Sequence, residues 1–96
     1  MKTIWKFSVL ASERFRVKMP SGSTILDVQT QDVGVAAHAE MWALVEDGAP
    51  EVFRTLSVIG TGHDAAPAFG GKYVGTFQFG NGALVFHLFD HGESIT

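Results

Sequence analysis

A hairpin signal between residues 73 and 89 constrains the fold of this chain more than any other feature. Two stretches of alternating residues, 73–79 and 83–89, flank the short connection Gly80-Asn81-Gly82. Gly and Asn tolerate the positive φ angles that a tight turn between antiparallel strands requires. The pattern therefore predicts two paired strands that need a sheet to bury them.

The same alternation of apolar and polar residues predicts strands in the earlier part of the chain. Residues 38–46 are apolar on both faces, which suits a central strand covered on both sides. A short helix is the alternative for this segment, and its short length and the following turn at 47–50 favour the strand. The segment 31–37 can be either a loop or a bulged continuation. Further strands are predicted at residues 2–9, 15–19, 23–31 and 52–59.

About seven strands at this spacing, with no convincing helix, predict one all-β domain over residues 1–96. The expected architecture is a small antiparallel β-sandwich or flattened barrel. Trp5 and Trp42 are both expected to be largely buried in its core. A length of 96 residues, with 46% hydrophobic and 18% charged residues, fits a compact globular domain of this kind.

Composition also excludes several classes of protein. The net charge of −3 comes without any basic stripe, so we expect no nucleic-acid partner. The chain has no Cys, which rules out disulfides, thiolate metal sites and Cys nucleophiles and favours the cytoplasm. No apolar run has the roughly 18 residues that a membrane-spanning segment needs. A soluble intracellular protein without a membrane partner is expected.

A Gly-rich loop is the best candidate for a binding site. Two glycines within three residues let backbone N–H groups approach a ligand closely, and the Thr hydroxyl and His ring beside them add further polar groups. Neutral side chains on the neighbouring strand and one Lys at the entrance would complete the site. The alternative is that His63 only packs the loop against the sheet. The predicted site residues are Gly60, Thr61, Gly62, His63, Asp64, Lys72, Thr76 and Gln78.

Other chemistry has weaker support in the sequence. His63, Asp64, His87, Asp90 and His91 are metal-ligand types, but they form no HxH or HExxH pattern, so neither a metal nor another cofactor is expected. A triad of Ser57, His63 and Asp64 can be written down, but no nucleophile-elbow motif accompanies it. We therefore expect a protein that is not an enzyme.

The last two predicted strands point to self-association. Leu84, Phe86 and Leu88 alternate with Val85, His87 and Phe89, so both faces of that strand are largely apolar. A 10.4 kDa chain hides little surface by itself, and a second subunit would cover the remaining face. A homo-oligomer is therefore expected.

A set of short stretches gives the chain a family resemblance. In order they are Lys2-Thr3-Ile4-Trp5-Lys6-Phe7, Met19-Pro20-Ser21-Gly22, Ile25-Leu26-Asp27-Val28-Gln29, Trp42-Ala43-Leu44-Val45, Gly60-Thr61-Gly62-His63, Tyr73-Val74-Gly75-Thr76-Phe77-Gln78 and Leu84-Val85-Phe86-His87. The set resembles a family of small uncharacterised all-β proteins encoded mainly by bacteriophages and prophages. The resemblance implies a phage-borne accessory protein in the cytoplasm of the infected bacterium. It carries no activity and no catalytic residues.

Two functions follow as expectations. One is a non-catalytic binding protein that captures a host protein or a small anionic, nucleotide-like ligand, in host takeover or counter-defence. The other is a structural or assembly accessory protein that acts only through protein–protein contacts. A ligand-dependent gain in stability would favour the first function.

Overall fold

Seven β-strands make up most of residues 1–33 and 36–96, the part of the chain that the computed structural model describes. One short 3₁₀ turn, Ala66–Ala68, lies between the fifth and sixth strands, and these residues contain no α-helix. No helix in the described ranges is thus long and apolar enough to cross a membrane. The strands are β1 (Lys2–Val9), β2 (Phe15–Pro20), β3 (Thr24–Val33), β4 (Ala36–Glu46), β5 (Glu51–Gly60), β6 (Lys72–Phe79) and β7 (Leu84–Ser94).

The strands form two antiparallel sheets that face each other. The smaller sheet has the order β1-β4-β3, and the larger has the order β2-β5-β7-β6. The two sheets approach each other along one side, where the Thr30 hydroxyl of β3 donates to the Gln78 carbonyl of β6 at 2.6 Å. The prediction of a seven-stranded antiparallel sandwich is confirmed, and the sheets do not close into a barrel.

Alternation along each strand explains the core. Alternate residues of β4 from Ala39 to Val45 are buried, and burial also alternates over the first half of β5, whereas all residues from Leu56 to Gly60 are buried. Leu56 and Leu88 are fully enclosed. The buried apolar residues that contact one another are Phe15, Met19, Val28, Ala39, Met41, Leu56, Val58, Phe77 and Leu88.

The two tryptophans depart from the sequence prediction. Trp5 is 41% exposed, so the expectation that it is buried is wrong. Trp42 is only partly buried, because it points away from the core on β4. The inner face of β4 carries the buried Met41 and Ala43, whereas no described element covers its outer face. The strand is central, as predicted, but it is covered on one side.

A β-bulge changes which residues share a face on β6. The pairing with β7 shifts between Tyr73 and Gly75, so Val74 is an extra residue in the strand. Plain alternation predicts Tyr73 on the face of Phe77. The bulge instead places Tyr73 beside Thr76, on the face that points away from the core.

The segment that the sequence left undecided, 31–37, is in large part strand. β3 continues to Val33 and β4 begins at Ala36, and the two strands pair up to these positions. The remaining positions, 34–35, lie outside the described residues.

Candidate functional site

The loop at 60–64 is a tight turn packed against β7. The His63 N–H donates to the Gly60 carbonyl at 3.0 Å, and the Thr61 N–H donates to the Val85 carbonyl at 3.0 Å. Gly62 has a φ of +86°, which few other residues would adopt. A Cβ on Gly60 would lie 2.9 Å from His63 Nδ1, so glycine is needed for the ring to fold back on the strand. Two backbone N–H groups that were expected to bind an anion therefore donate to carbonyl groups of the protein instead.

The Asp64 carboxylate also has an internal partner. Its Oδ1 accepts a hydrogen bond from the Ala66 N–H at 2.9 Å, at the start of the 3₁₀ turn. This contact is a local Asx-type bond that shapes the connection to β6. Asp64 therefore stabilises the loop conformation through this bond.

Four polar side chains on the outer face of the larger sheet form a continuous hydrogen-bonded row, which we call the hydroxyl–imidazole chain. Thr61 Oγ1 lies 2.8 Å from His87 Nε2, and His87 Nδ1 lies 2.9 Å from Thr76 Oγ1. Thr76 Oγ1 lies 2.6 Å from the Tyr73 hydroxyl. The row joins the loop after β5 to β7 and β6, and it brings two of the predicted site residues, Thr61 and Thr76, onto one imidazole.

The hydroxyl–imidazole chain can reverse its direction. In one neutral form Thr61 donates to His87, His87 donates to Thr76, and Thr76 donates to Tyr73, whose own proton is then available to a ligand. In the other form every donor and acceptor is exchanged, and the Thr61 proton is the available one. A protonated His87 donates at both nitrogens, so protons become available at both ends. The chain can therefore donate to an acceptor at either end.

His87 and Tyr73 were not among the predicted site residues. A three-residue turn would pair Phe79 with Ala83 and would place Phe86 opposite Thr76. The structure pairs Phe79 with Leu84, so His87 stands opposite Thr76. One signal could have found His87: it is the single ionisable residue within the otherwise apolar stretch 83–89.

A cleft of about 330 Å³, which we call the loop–hairpin cleft, opens beside the hydroxyl–imidazole chain. Its polar edge comes from Thr61 and His63, and its apolar wall comes from the start of β7. Gln78 borders it, since its Oε1 would lie 3.0 Å from a Cβ on Gly82. The residues that line the cleft are Gly60, Thr61, His63, Gly82, Ala83, Leu84, Val85 and Phe86.

The structure does not bring Lys72 to this cleft. Lys72 begins β6 opposite Asp90, four residues before Thr76 and therefore about 13 Å away along the strand. It lines a separate cavity of about 440 Å³ together with Arg54 and Asp90. The loop–hairpin cleft is thus lined by no lysine or arginine among the described residues.

The possible triad of Ser57, His63 and Asp64 is not assembled. Ser57 is fully buried, and its hydroxyl donates to the Pro67 carbonyl at 2.9 Å. His91 Nε2 lies 2.7 Å from the same Oγ. A hydroxyl has one proton, so His91 must be the donor in this contact and does not act as a base toward Ser57. Burial, and then the charge of Arg14, hold the pKa of His91 below its ordinary value.

Within the described ranges, no three His, Asp or Glu side chains are grouped as they would be around a metal ion. His87 and His91 are each bonded to hydroxyl groups instead. The two histidines therefore take part in separate hydrogen-bond networks, and both are partly buried.

These observations define a small antiparallel β-sandwich with a solvent-facing row of polar side chains and an adjoining cleft at one end of its larger sheet. The chain belongs to the family described as Domain of unknown function (DUF7352), whose model matches residues 1–95. No curated protein and no solved structure matches the chain.

Proposed function

We propose that this protein is a non-catalytic binding protein that holds a small, nucleotide-like anion in the loop–hairpin cleft. One observation carries the proposal: Thr61 belongs both to the cleft and to the hydroxyl–imidazole chain. An apolar wall and a row of hydrogen-bond donors therefore meet at one side chain. Small-molecule sites commonly combine these two features.

The chemistry of the two parts suits the two halves of such a ligand. A flat heterocycle can pack between the His63 ring and the exposed Leu84 side chain. An anionic group can accept a hydrogen bond from the Thr61 hydroxyl. When His87 is protonated, both ends of the hydroxyl–imidazole chain have a proton to donate. No Lys or Arg among the described residues lines the cleft, so the anion would be held by hydrogen-bond donors.

The setting we propose is that of a phage-borne factor in the cytoplasm of the infected bacterium. The support is the resemblance of the ordered short stretches to proteins of phages and prophages. Capture of a small signalling nucleotide would serve counter-defence or host takeover there.

A second candidate function is an accessory protein that works through protein–protein contacts alone. Its support is the exposure of Ile4 and Leu26 on the outer face of the smaller sheet, far from the cleft in sequence and on the other sheet. Exposed apolar side chains of this kind often mark protein contacts.

Thermal unfolding with adenosine monophosphate, adenosine and inorganic phosphate tests the proposed function. At about one hundred times Kd, a ligand of the folded state adds about 2.7 kcal/mol, which raises Tm by roughly 10 °C or more in a domain of this size. We expect the monophosphate to give the largest shift of the three compounds. The nucleotide should be recovered unchanged by chromatography, since the proposal excludes turnover.

Variants locate the binding. Thr61→Val and His63→Ala should abolish the shift, whereas Lys72→Ala should keep it, because Lys72 lines the other cavity. Each Tm is compared with that of the same variant without ligand. The absence of any shift with all three compounds at millimolar concentration would refute the proposed ligand class. Loss of the shift in Lys72→Ala alone would place the site elsewhere.

A further inference from the structure

The outer face of the smaller sheet carries apolar side chains that no described element covers. Ile4 of β1 is 55% exposed and pairs with Leu44 of β4, and Leu26 of β3 is 47% exposed. Trp42 lies one cross-strand row further along β4. Together they border a shallow cleft of about 340 Å³. Soluble monomers rarely expose large contiguous apolar patches without a binding role.

The charges at the two edges of this face have opposite signs. Lys6 on β1 and Asp27 on β3 both pair with Trp42, so the three side chains form one row across the sheet. The two backbones are about 10 Å apart, which is two strand spacings. Neither Lys6 nor Asp27 has a salt bridge with any residue in the described ranges. The row is therefore positive at one end, aromatic in the middle and negative at the other.

We propose that a second copy of this chain covers the face, with a two-fold axis that runs along β4 near Trp42. Such an axis places the β1 edge of one subunit over the β3 edge of the other. Lys6 then lies opposite Asp27 of the partner subunit, and the contact occurs twice. The two Trp42 rings meet at the centre.

The charges favour this arrangement over the other two-fold arrangement that keeps the strands of the two subunits aligned. A two-fold axis perpendicular to the strands would place Lys6 over the partner's Lys6 and Asp27 over the partner's Asp27, which is unfavourable. Sheets that stack face to face keep their strands within about 30° of each other, so the complementary edges stay in register.

This interface differs from the one that the sequence suggested on β7. There the outer face is partly covered by the chain itself, since Pro67 and His91 enclose Ser57 and the Tyr73 ring packs edge-on against Phe89. On the smaller sheet, no element in the described ranges covers the outer face in this way. The dimer proposed here leaves the loop–hairpin cleft open, because the cleft belongs to the other sheet.

Charge reversal tests the interface by sedimentation equilibrium. The wild-type protein should have twice the 10.4 kDa mass of the chain at tens of micromolar. Lys6→Asp and Asp27→Lys should each raise the dimer dissociation constant by about tenfold, since the two-fold axis makes each reversal count twice. The double variant Lys6→Asp, Asp27→Lys should restore the wild-type constant, because the reversed charges again face each other.

Two controls keep the result interpretable. Lys18→Asp changes the net charge as much as Lys6→Asp does, but on the larger sheet, and should leave the dimer intact. Far-ultraviolet circular dichroism checks that Asp27→Lys still folds, because Asp27 also accepts the Val28 N–H. A wild-type monomer would overturn the proposal. A dimer that neither single reversal weakens, or that the double variant does not restore, would overturn it equally.

Discussion

At the scale of single residues, two histidines of β7 have different roles although they stand four positions apart. His91 donates to the buried Ser57 and helps to hold the 3₁₀ turn on the sheet. Gly71 makes this possible, because a Cβ there would lie 3.0 Å from His91 Cε1. His87 instead bridges two exposed threonines. One histidine therefore stabilises a loop, and the other is placed where a ligand can reach its partners.

His91 should make the folded protein less stable in mild acid. Its pKa is lowered by burial and by Arg14, so the unfolded chain binds the proton more tightly than the folded one. The stabilisation is complete above the ordinary pKa of histidine and is lost as the pH falls from there through the lowered pKa of the folded protein. His91→Gln keeps an N–H donor for Ser57 and should flatten the decline in unfolding free energy between about pH 7 and about pH 5. Urea unfolding at several pH values measures this, and equal declines in the two proteins would contradict it.

At the scale of elements, the β6–β7 hairpin depends on its turn. Gly80, Asn81 and Gly82 all have positive φ, at 60°, 55° and 91°. The Ala83 N–H closes the turn by donating to the Gly80 carbonyl at 3.1 Å. This turn sets the register that brings His87 opposite Thr76. The hairpin that carries three of the four residues of the hydroxyl–imidazole chain is therefore positioned by three residues at its tip.

Substitution of Asn81 tests the turn. A β-branched residue resists positive φ, so Asn81→Val should lower the unfolding free energy by about 1–2 kcal/mol. Asn81→Gly is the matched control and should stay within about 0.5 kcal/mol of wild type, since Gly adopts this φ without strain. Urea denaturation compares the three proteins. An Asn81→Val protein as stable as Asn81→Gly would show that the turn does not limit the hairpin.

At the scale of the whole molecule, one arginine of the larger sheet contacts the segment between β2 and β3, where the chain crosses from the larger sheet to the smaller one. Arg54 of β5 contacts Asp90 of β7 at 2.9 Å and donates to the Ser23 carbonyl between β2 and β3. Its side chain is only 8% exposed. Glu93 joins the same region by accepting from the Gly22 N–H and the Ser21 hydroxyl, and these bonds lower the pKa of Glu93. The end of β7 thus holds the crossover between the sheets.

Removing Arg54 should be costly. Arg54→Met leaves the Asp90 side chain, which is 13% exposed, without its ion-pair partner, and we expect a loss of up to about 3–5 kcal/mol of unfolding free energy. The double variant Arg54→Met, Asp90→Leu removes both charges and should be markedly more stable than the single one. Urea denaturation of the four proteins of this cycle gives the coupling. Additive effects of the two substitutions would contradict the role given to the pair.

The amino-acid sequence by itself determined the fold class and the extent of nearly every strand. Alternation and turn residues act within a few positions, so their signal can be read locally. The loop at 60–64 was also recognisable from its glycines, and Thr61 and Thr76 do reach one network. These features needed no knowledge of which strand lies beside which.

Only the tertiary structure decided the register of the last hairpin, the bulge at Val74 and the partners of His87, His91 and Arg54. Each depends on strand pairing, and a shift of one residue moves a side chain to the opposite face. For the same reason Lys72 was expected at the cleft but lies at the far end of β6. Exposure of Trp42 was equally out of reach, because apolar residues on both faces of a strand do not reveal which face the chain itself will cover.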